Sequence, residues 1–331
     1  MSEPAFTDLI DLAAARLGST VLLANDEFFA PKEALLKATA AEWREHEYTD
    51  RGKWMDGWET RRRRTPGHDW CLIRLGLAGV VRGVVVDTAF FRGNFPEHCT
   101  LEGCALEGVP DPEALAADAS IRWHSLVPRS ALAGDTRNAF AVACAERTTH
   151  LRFSIFPDGG VARLRVHGEA RPAPEVFKPG RMLDLAAVEN GGYVECCSDM
   201  FFGHRQNLIL PGRSTHMGDG WETRRRRGPG HDWSIVRLAV RGTLERIELD
   251  TDHFKGNAPG TAMLEYCDAA GATPGALASQ VQWQPLHAQT ALQPHARHAW
   301  DLAAPVRATH VRLNIYPDGG VARLRLFGTA A

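Results

Sequence analysis

The chain has 331 residues, of which 44% are hydrophobic and 24% are charged. One domain usually takes about 150 residues, so we expect two compact units. This composition excludes a disordered, fibrous or coiled-coil protein. The formal net charge is −2. Proteins that bind nucleic acid or anionic membranes usually carry a basic surplus, so we expect neither partner.

Compartment and cofactor signals are few. No stretch reaches the roughly 18–20 consecutive apolar residues that span a bilayer, and the first residues do not resemble a secretory leader. We therefore expect a cytoplasmic protein. The seven cysteines form no CxxC pair, so we expect them to be reduced and mostly buried. The histidines show no metal-binding spacing and no nucleotide-binding loop is present, so we predict no metal and no cofactor.

The sequence is duplicated. GWETRRRR occupies 57–64 and returns 163 residues later at 220–227, and GHDW follows each copy at 67–70 and 230–233. The same register relates Asp87-Thr88 to Asp250-Thr251 and Gly93-Asn94 to Gly256-Asn257. PDGGVARLR closes the pattern at 157–165 and 317–325. Such a repeat predicts two similar domains in tandem.

The boundary between the copies falls in the proline-containing stretch 169–181, which is typical of a linker. We place the first domain at 1–171 and the second at 172–331. The first copy holds about ten extra residues around 30–54. Their apolar spacing predicts a helix over 32–48.

Alternation with a period of two dominates each copy. Leu151, Phe153 and Ile155 alternate with Arg152 and Ser154. We expect this strand to form a hairpin with 162–166 across an Asp-Gly turn, where glycine supplies a positive φ. Short strands also fit 69–77, 83–91, 234–240 and 246–254. Strands without intervening helices predict an all-β protein, with a β-sandwich or jelly roll in each half.

The arginine run is a candidate site for an anion. On an extended strand Glu59, Arg61 and Arg63 share one face, as do Glu222, Arg224 and Arg226 in the second copy. Planar guanidinium groups bind carboxylates through two parallel hydrogen bonds. The alternative is a solvated charged edge that prevents strand addition.

GHDW supplies the pairs His68-Asp69 and His231-Asp232. A histidine can move protons near neutral pH, and a carboxylate can act as a base or orient a partner. Neighbours on a strand point apart, however, so each pair need not act together. Structural packing beneath the following tryptophan is the alternative.

Further polar groups end the predicted strands or lie in loops. Asp87 and Asp250 can face a ligand or cap a turn, and Asn94 and Asn257 can contact a ligand or serve turn chemistry. The tryptophans of the GWE motif, Trp58 and Trp221, stand at strand positions, so we expect them in the cores.

These strings together resemble the allantoicase family over nearly the whole chain. The resemblance implies two tandem jelly-roll domains similar to galactose-binding modules. It also implies hydrolysis of a ureido C–N bond, which converts allantoate to ureidoglycolate and urea, and assembly into a homo-oligomer. The second copy departs slightly in front of the motif, where Gly218-Asp219 replaces Met55-Asp56.

Allantoate carries one carboxylate and two ureido groups on one carbon, so a site needs an arginine clamp and acceptors for N–H groups. Our hypothesis assigns these roles to residues of both copies. The proton donor is His68 or His231, the base is Glu59, Asp69, Glu222 or Asp232, the carboxylate clamp is Arg61, Arg63, Arg224 and Arg226, and further substrate contacts come from Asp87, Asp250, Asn94 and Asn257.

Two other functions stay open. Nine tryptophans are compatible with a carbohydrate-binding pair of jelly rolls, and a purely structural scaffold is the third alternative. Whether each repeat has a site, one repeat has lost it, or copies share one is not decided by the sequence.

Overall fold

A computed structural model describes residues 4–108 and 110–331 of the protein. Residues 1–3, with which the first predicted domain begins, lie outside the described part. The chain forms two compact units, one ending at Arg171 and the other running from Pro172 to Ala331. The predicted linker starts inside the last strand of the first unit and contains the 3-10 turn Pro174–Phe177.

The first unit is built from strands joined by short turns. Its strands are β1 Ile10–Asp11, β2 Thr20–Ala24, β3 Tyr48–Thr49, β4 Gly52–Lys53, β5 Trp58–Glu59, β6 Asp69–Asp87, β7 His98–Cys104, β8 His124–Ala131, β9 Arg137–Ala141, β10 Arg147–Phe156, β11 Gly160–Val161 and β12 Arg163–Ala170. The helical segments are the 3-10 turns Ala5–Asp8, Ala15–Leu17 and Lys32–Leu36 and the helix α1 Pro112–Ala117.

The second unit repeats this order. Its strands are β13 Leu183–Asp184, β14 Tyr193–Cys197, β15 Trp221–Glu222, β16 Asp232–Asp250, β17 Thr261–Cys267, β18 Gln284–Ala291, β19 Arg297–Tyr316, β20 Gly320–Val321 and β21 Arg323–Ala330. Its helical segments are the 3-10 turns Val188–Asn190, Arg205–Ile209 and Met217–Asp219 and the helix α2 Pro274–Ser279.

The 19-residue strand β6 organises the first unit because it exchanges partners half-way along. Its first half pairs with β2 and β10, and its second half pairs with β9 and β12, all antiparallel. β10 continues to β7 and β8, while β12 continues to β1. One strand thus belongs to both layers of a jelly-roll sandwich.

The second unit has the same plan around β16. Its first half pairs with β14 and β19, and its second half with β19 and β21. β19 then pairs with β17, which pairs with β18. The expected fold class, two tandem jelly-roll domains of all-β structure, is confirmed.

The separate strands expected at 69–77 and 83–91, and at 234–240 and 246–254, were the wrong division. One continuous strand, β6 or β16, spans each pair, and it ends at Asp87 or Asp250, so that 88–91 and 251–254 lie in turns. The glycines within β6 do not break it. A Cβ atom on Gly79 would lie 2.3 Å from the carbonyl oxygen of Glu169 on β12, so this glycine allows close approach of two strands rather than a turn.

The hairpin predicted around Asp158-Gly159 is also wrong. β10 and β12 do not pair with each other; each pairs with a different half of β6. The turn therefore carries the chain from one layer to the other, and Gly160–Val161 pairs with Trp58–Glu59 on the way. The expected positive φ is present, at 137° on Gly159.

The helix predicted over 32–48 does not form beyond the 3-10 turn Lys32–Leu36. The carbonyl oxygen of Thr39 accepts hydrogen bonds from Arg163 Nε at 2.9 Å and from Arg165 Nη2 at 3.1 Å. The carbonyl of Ala40 accepts another from Arg163 at 3.1 Å. Tertiary hydrogen bonds to guanidinium groups replace the intrahelical bonds that the spacing predicted.

The cores confirm two expectations. Trp58 and Trp221 are fully buried, and each indole N–H donates to a backbone carbonyl at 2.8 Å, of Asp26 and Asp199 respectively. All seven cysteines are free, and Cys71, Cys99, Cys104 and Cys267 are buried. Burial raises the pKa of the Cys104 thiol to about 11, which keeps that thiol protonated and unreactive.

Arg163 and Asp56 form a buried ion pair at 2.5 Å, with side chains 1% and 4% exposed. Desolvation opposes ionisation of Asp56, but hydrogen bonds from Arg163 and Lys37 outweigh it and hold the pKa of that carboxyl below its usual value. This pair joins β12 to the segment in front of β5.

Removing the charge of Asp56 should strongly destabilise the protein, because it leaves the Arg163 guanidinium buried without a counter-ion. We expect Asp56→Asn to lower the free energy of unfolding by about 3–5 kcal/mol in urea unfolding of the full chain. Arg92→Ala, which removes an exposed pair with Asp135, is the control and should leave the transition unchanged. An unchanged transition in Asp56→Asn would contradict this account.

Candidate functional site

The first unit has a cavity of about 760 Å³ on the outer face of the layer that contains the first half of β6. The cavity, called here the first-repeat pocket, is lined by Arg63, Gly67, His68, Trp70, Leu72, Thr100, Glu102, Leu115, Ala116, Trp123, Ser125, Val127, Pro128, Arg129, Arg152, Ser154 and Phe156.

Strand alternation explains why these residues share one face. Register places Trp70 opposite Ser154 and Ser154 opposite Thr100 across β6, β10 and β7. Side chains two residues apart on a strand point the same way, so the intervening residues, such as Phe153, face the core and are fully buried. The sheet therefore forms the floor of the pocket.

A short helix and a loop form the walls of the pocket. Helix α1 begins at Pro112, with the Asp111 side chain accepting a hydrogen bond from Ala114 N at 2.9 Å, and it contributes Leu115. The loop between β5 and β6 contributes Arg63 and His68 from the other side. Both walls are short segments, so contacts with the sheet hold them in place.

The pocket contains one arginine without a counter-ion. Arg152 donates to Glu102 at 2.8 Å and stacks on the Trp123 ring at 4.8 Å. Arg129 is exposed and lies 4.6 Å from the centre of the Phe156 ring, and within the described residues it makes no ion pair and no hydrogen bond. An anion entering the pocket can therefore pair with Arg129 without displacing a carboxylate.

His68 stands beside this arginine. Its ring centre lies 4.6 Å from the centre of Phe156, and His68 and Arg129 both line the first-repeat pocket. In the part of the chain that the structure describes, the imidazole nitrogens have no hydrogen-bond partner. Desolvation, followed by the charge of Arg63, lowers the pKa of His68 below its ordinary value, so the ring is neutral near pH 7.

The structure pairs Arg63 with Asp69. Arg63 Nη1 donates to Asp69 Oδ1 at 2.6 Å, and Asn25 donates to the same oxygen at 2.8 Å. The carboxylate is 1% exposed, below the pocket surface. Asp232 is equally buried in the second unit, where it binds Arg226 and accepts from Ser198 at 2.9 Å. Both aspartates orient their arginines.

The other two predicted clamp arginines are already occupied. Arg61 Nη2 lies 2.6 Å from Asp26 Oδ2, and Arg224 Nε lies 3.1 Å from Asp199 Oδ1. The same aspartates also accept from the backbone N–H groups of these arginines. These contacts secure the segment that follows β5 or β15, and neither arginine lines the first-repeat pocket.

The structure brings Glu59 and Asn94 together, although 35 residues separate them. Asn94 Nδ2 donates to Glu59 Oε1 at 2.7 Å, and Asn257 donates to Glu222 in the same way at 2.5 Å. Burial raises the pKa of the Glu59 carboxyl, and the bond from Asn94 only partly offsets this effect. The pair lies outside the first-repeat pocket.

Asp87 and Asp250 cap the turns that follow the long strands. Asp87 accepts from Ala89 N at 2.9 Å and Asp250 from Asp252 N at 2.8 Å. Asp250 also lines a separate cavity of about 300 Å³ in the second unit. Its arginines face carboxylates: Arg323 lies 2.9 Å from Asp219, and others pair with Asp184, Glu248 and Asp252. This cavity therefore presents no unpaired arginine among its described lining residues, whereas the first-repeat pocket presents one.

The counterpart of the pocket in the second unit has different contacts. His231 Nε2 lies 3.0 Å from Asn314 Oδ1, and Asn314 Nδ2 donates to Glu265 at 2.8 Å. Arg312 also pairs with Glu265, at 2.6 Å. Gln289 stands where the first unit has Arg129. His231 and Arg312 thus already have partners within the second unit.

Sequence reasoning missed several groups of the pocket. Alternation did place Arg152 and Ser154 away from the core. Glu102 and Arg129, however, lie on strands that no motif marked, and only the pairing of β7 with β10 and β8 brings them into the same pocket as His68. The 160-residue spacing of the PDGGVARLR copies held a usable signal, because it aligns Arg129 with Gln289 and so marks a position where the copies differ.

Two absences concern membranes and metals. Across 4–108 and 110–331, no helix has the length and apolar character to cross a membrane. Over the same ranges, His, Cys, Asp and Glu side chains form no group of three or more that could hold a metal ion.

Comparison with known proteins gives the family. The allantoicase repeat model matches residues 10–171 and again 183–331. A Streptomyces avermitilis protein named "Probable allantoicase" is 47% identical over 334 residues, covering 98% of this chain and 86% of that protein. "Probable allantoicase 2" of Burkholderia pseudomallei is also 47% identical and covers 100% of this chain and 98% of its own length.

The chain belongs to the allantoicase family. The solved structure of the Saccharomyces cerevisiae allantoicase superimposes with a TM-score of 0.78 at 34% identity, covering 96% of this chain and 92% of that one. The family expected from the duplicated motifs is confirmed. Membership favours a hydrolase over the carbohydrate-binding pair.

The lowered pKa of His68 can be tested directly. We expect Arg63→Gln to raise it, because the amide keeps a hydrogen bond to Asp69 but removes the adjacent positive charge. Titration of the histidine ring resonances by NMR, with His68 assigned through a His68→Gln variant, measures the shift. Arg226→Gln makes the matched change in the second repeat and should leave His68 unmoved. Equal shifts in both variants would refute the local electrostatic cause.

Proposed function

We propose that the chain hydrolyses allantoate to ureidoglycolate and urea, and that the reaction takes place in the first-repeat pocket. Family membership supports the reaction. The placement rests on one observation: a single cavity holds an arginine without a counter-ion, a neutral histidine with unused ring nitrogens, and a carboxylate. Turn-capping and loop-securing contacts engage the other predicted site residues.

The pocket matches the groups of the substrate. The carboxylate of allantoate pairs with Arg129, which lines the cavity together with Phe156. The ureido N–H groups donate to Glu102 and to the hydroxyls of Ser125 and Ser154, all of which line the same cavity. This arrangement leaves His68 beside the central carbon.

In the first step, neutral His68 accepts the proton of the ureido N–H that stays with the product. The electron pair left on that nitrogen forms a C=N bond to the central carbon, and the bond from that carbon to the other ureido nitrogen breaks. The imidazolium then returns its proton to the departing nitrogen, and neutral urea leaves. Positioned proton transfer of this kind contributes about 10²–10⁴-fold to a rate.

In the second step, water adds to the C=N bond. His68, neutral again, accepts a proton from water while the oxygen bonds to the carbon. The π electron pair moves to the nitrogen, which takes the proton from the imidazolium. Ureidoglycolate results, and His68 ends the cycle neutral, as it began.

This proposal moves the base from the carboxylates considered at the sequence level to His68. Asp69 is buried under Arg63, and Glu59 is bonded to Asn94 away from the pocket. The lowered pKa of His68 suits a group that must first accept a proton.

Cytoplasmic location and assembly into a homo-oligomer also belong to the proposal. Seven free cysteines suit a reducing compartment. Phe201 and Phe202 are each 61% exposed in the second unit, which supports contact with another copy.

The central test is urea release from allantoate by the purified chain. We expect His68→Gln to lower kcat by about 10²–10⁴-fold, because both proton transfers lose their carrier. His46→Gln changes an exposed histidine outside the pocket and serves as the control. Normal kcat in His68→Gln would remove His68 from the mechanism, and absence of urea with the wild-type chain would refute the proposed function.

The pH profile provides an independent check. His68 must be neutral to start the reaction, so kcat/KM should fall as pH decreases through its pKa, which desolvation holds below the ordinary value of a histidine. Arg63→Gln should shift this acid limb to higher pH, in step with the NMR titration. If the acid limb of the kcat/KM profile lies at the same pH in Arg63→Gln, the limb reports the titration of another group.

A further inference from the structure

We infer that Arg129 is the residue that selects for a carboxylate, and that the first repeat alone binds substrate while the second repeat holds its own counterpart of the pocket closed. The inference rests on the proposed function and deepens it. The two repeats share their sequence motifs, so the difference lies in a few positions on one sheet face.

The first difference is charge. The arginines at corresponding positions 152 and 312 are each paired with a glutamate, so neither contributes an uncompensated charge. Arg129 adds one in the first repeat. In the second repeat Gln289 takes that position, and its side-chain amide donates to Thr261 Oγ1 at 2.7 Å. Among the described residues of this face, a carboxylate therefore finds an unpaired cation in the first repeat and a glutamine at the corresponding position of the second.

The second difference is occupancy of the histidine. Ser154 in the first repeat is too short to reach across the face. Asn314, at the corresponding position, joins His231 to Glu265 through bonds of 3.0 and 2.8 Å and is itself 2% exposed. A ligand would have to break this part-buried chain of hydrogen bonds to use His231 Nε2.

The third difference is space. Met263 in the second repeat replaces Thr100 of the first, and Tyr316 replaces Phe156. The Tyr316 hydroxyl donates to the Met263 sulfur at 3.9 Å. Tyr316 stacks on His231 with ring centres 4.5 Å apart. Larger side chains thus lie over the face that is open in the first repeat.

The test is binding of N-carbamoylglycine, a carboxylate with one ureido group and no second one to release. Isothermal titration of the wild-type chain should give one equivalent bound per chain. Arg129→Gln copies the second repeat at an exposed position and should raise Kd at least about tenfold. Gln289→Ala, its matched control, should leave Kd and stoichiometry unchanged. Two equivalents per chain, or an unchanged Kd in Arg129→Gln, would overturn the inference.

A reciprocal pair tests the closure. Ser154→Asn should weaken binding by giving His68 the partner that His231 has, and Asn314→Ser should leave binding as in the wild type. Equal effects of the two substitutions would overturn the inference. Urea assays separate this inference from the proposed function. If the wild-type chain releases urea and Arg129→Gln has an unchanged Kd, only the inference is refuted. If the ligand binds as expected but no urea is released, only the proposed function is refuted.

Discussion

The structure depends on one strand in each repeat that serves two layers. β6 pairs with β2 and β10 over its first half and with β9 and β12 over its second, so the two sheets are joined by continuous backbone rather than by side-chain packing alone. Alternation along this strand then decides which residues fill the core and which face outward. The outward-facing side chains of the first half of β6 contribute to the floor of the first-repeat pocket.

Charge pairing explains why most arginines of the duplicated motifs do not serve as an anion clamp. Guanidinium groups bind carboxylates well, and this chain supplies its own carboxylates close by. Arg61 binds Asp26, Arg63 binds Asp69, and Arg163 binds Asp56. The second unit has the corresponding pairs, so these arginines secure the segments between the layers in both halves. An arginine outside the motifs, Arg129, is left available.

The two repeats show how a duplicated fold can diverge at a few positions. Substituting a serine by an asparagine on β19 supplies a partner for the neighbouring histidine, and substituting an arginine by a glutamine removes a cation. Neither change disturbs the inward-facing side chains. Differences confined to the outward face can therefore change chemistry while the sandwich stays the same.

The sequence by itself determined the duplication, the all-β class, the burial of Trp58 and the outward direction of Arg152, because these follow from repeated strings and from the period of two. It could not determine that 69–87 is one strand, that Pro157–Gly160 crosses between layers, or that the carbonyls of 38–40 accept hydrogen bonds from arginines instead of continuing a helix. Those outcomes depend on contacts between residues far apart in the chain. For the same reason only the tertiary structure brought Glu102, Arg129 and His68 into one pocket, and only it distinguished the pocket arginines that are already paired, Arg63 and Arg152, from Arg129.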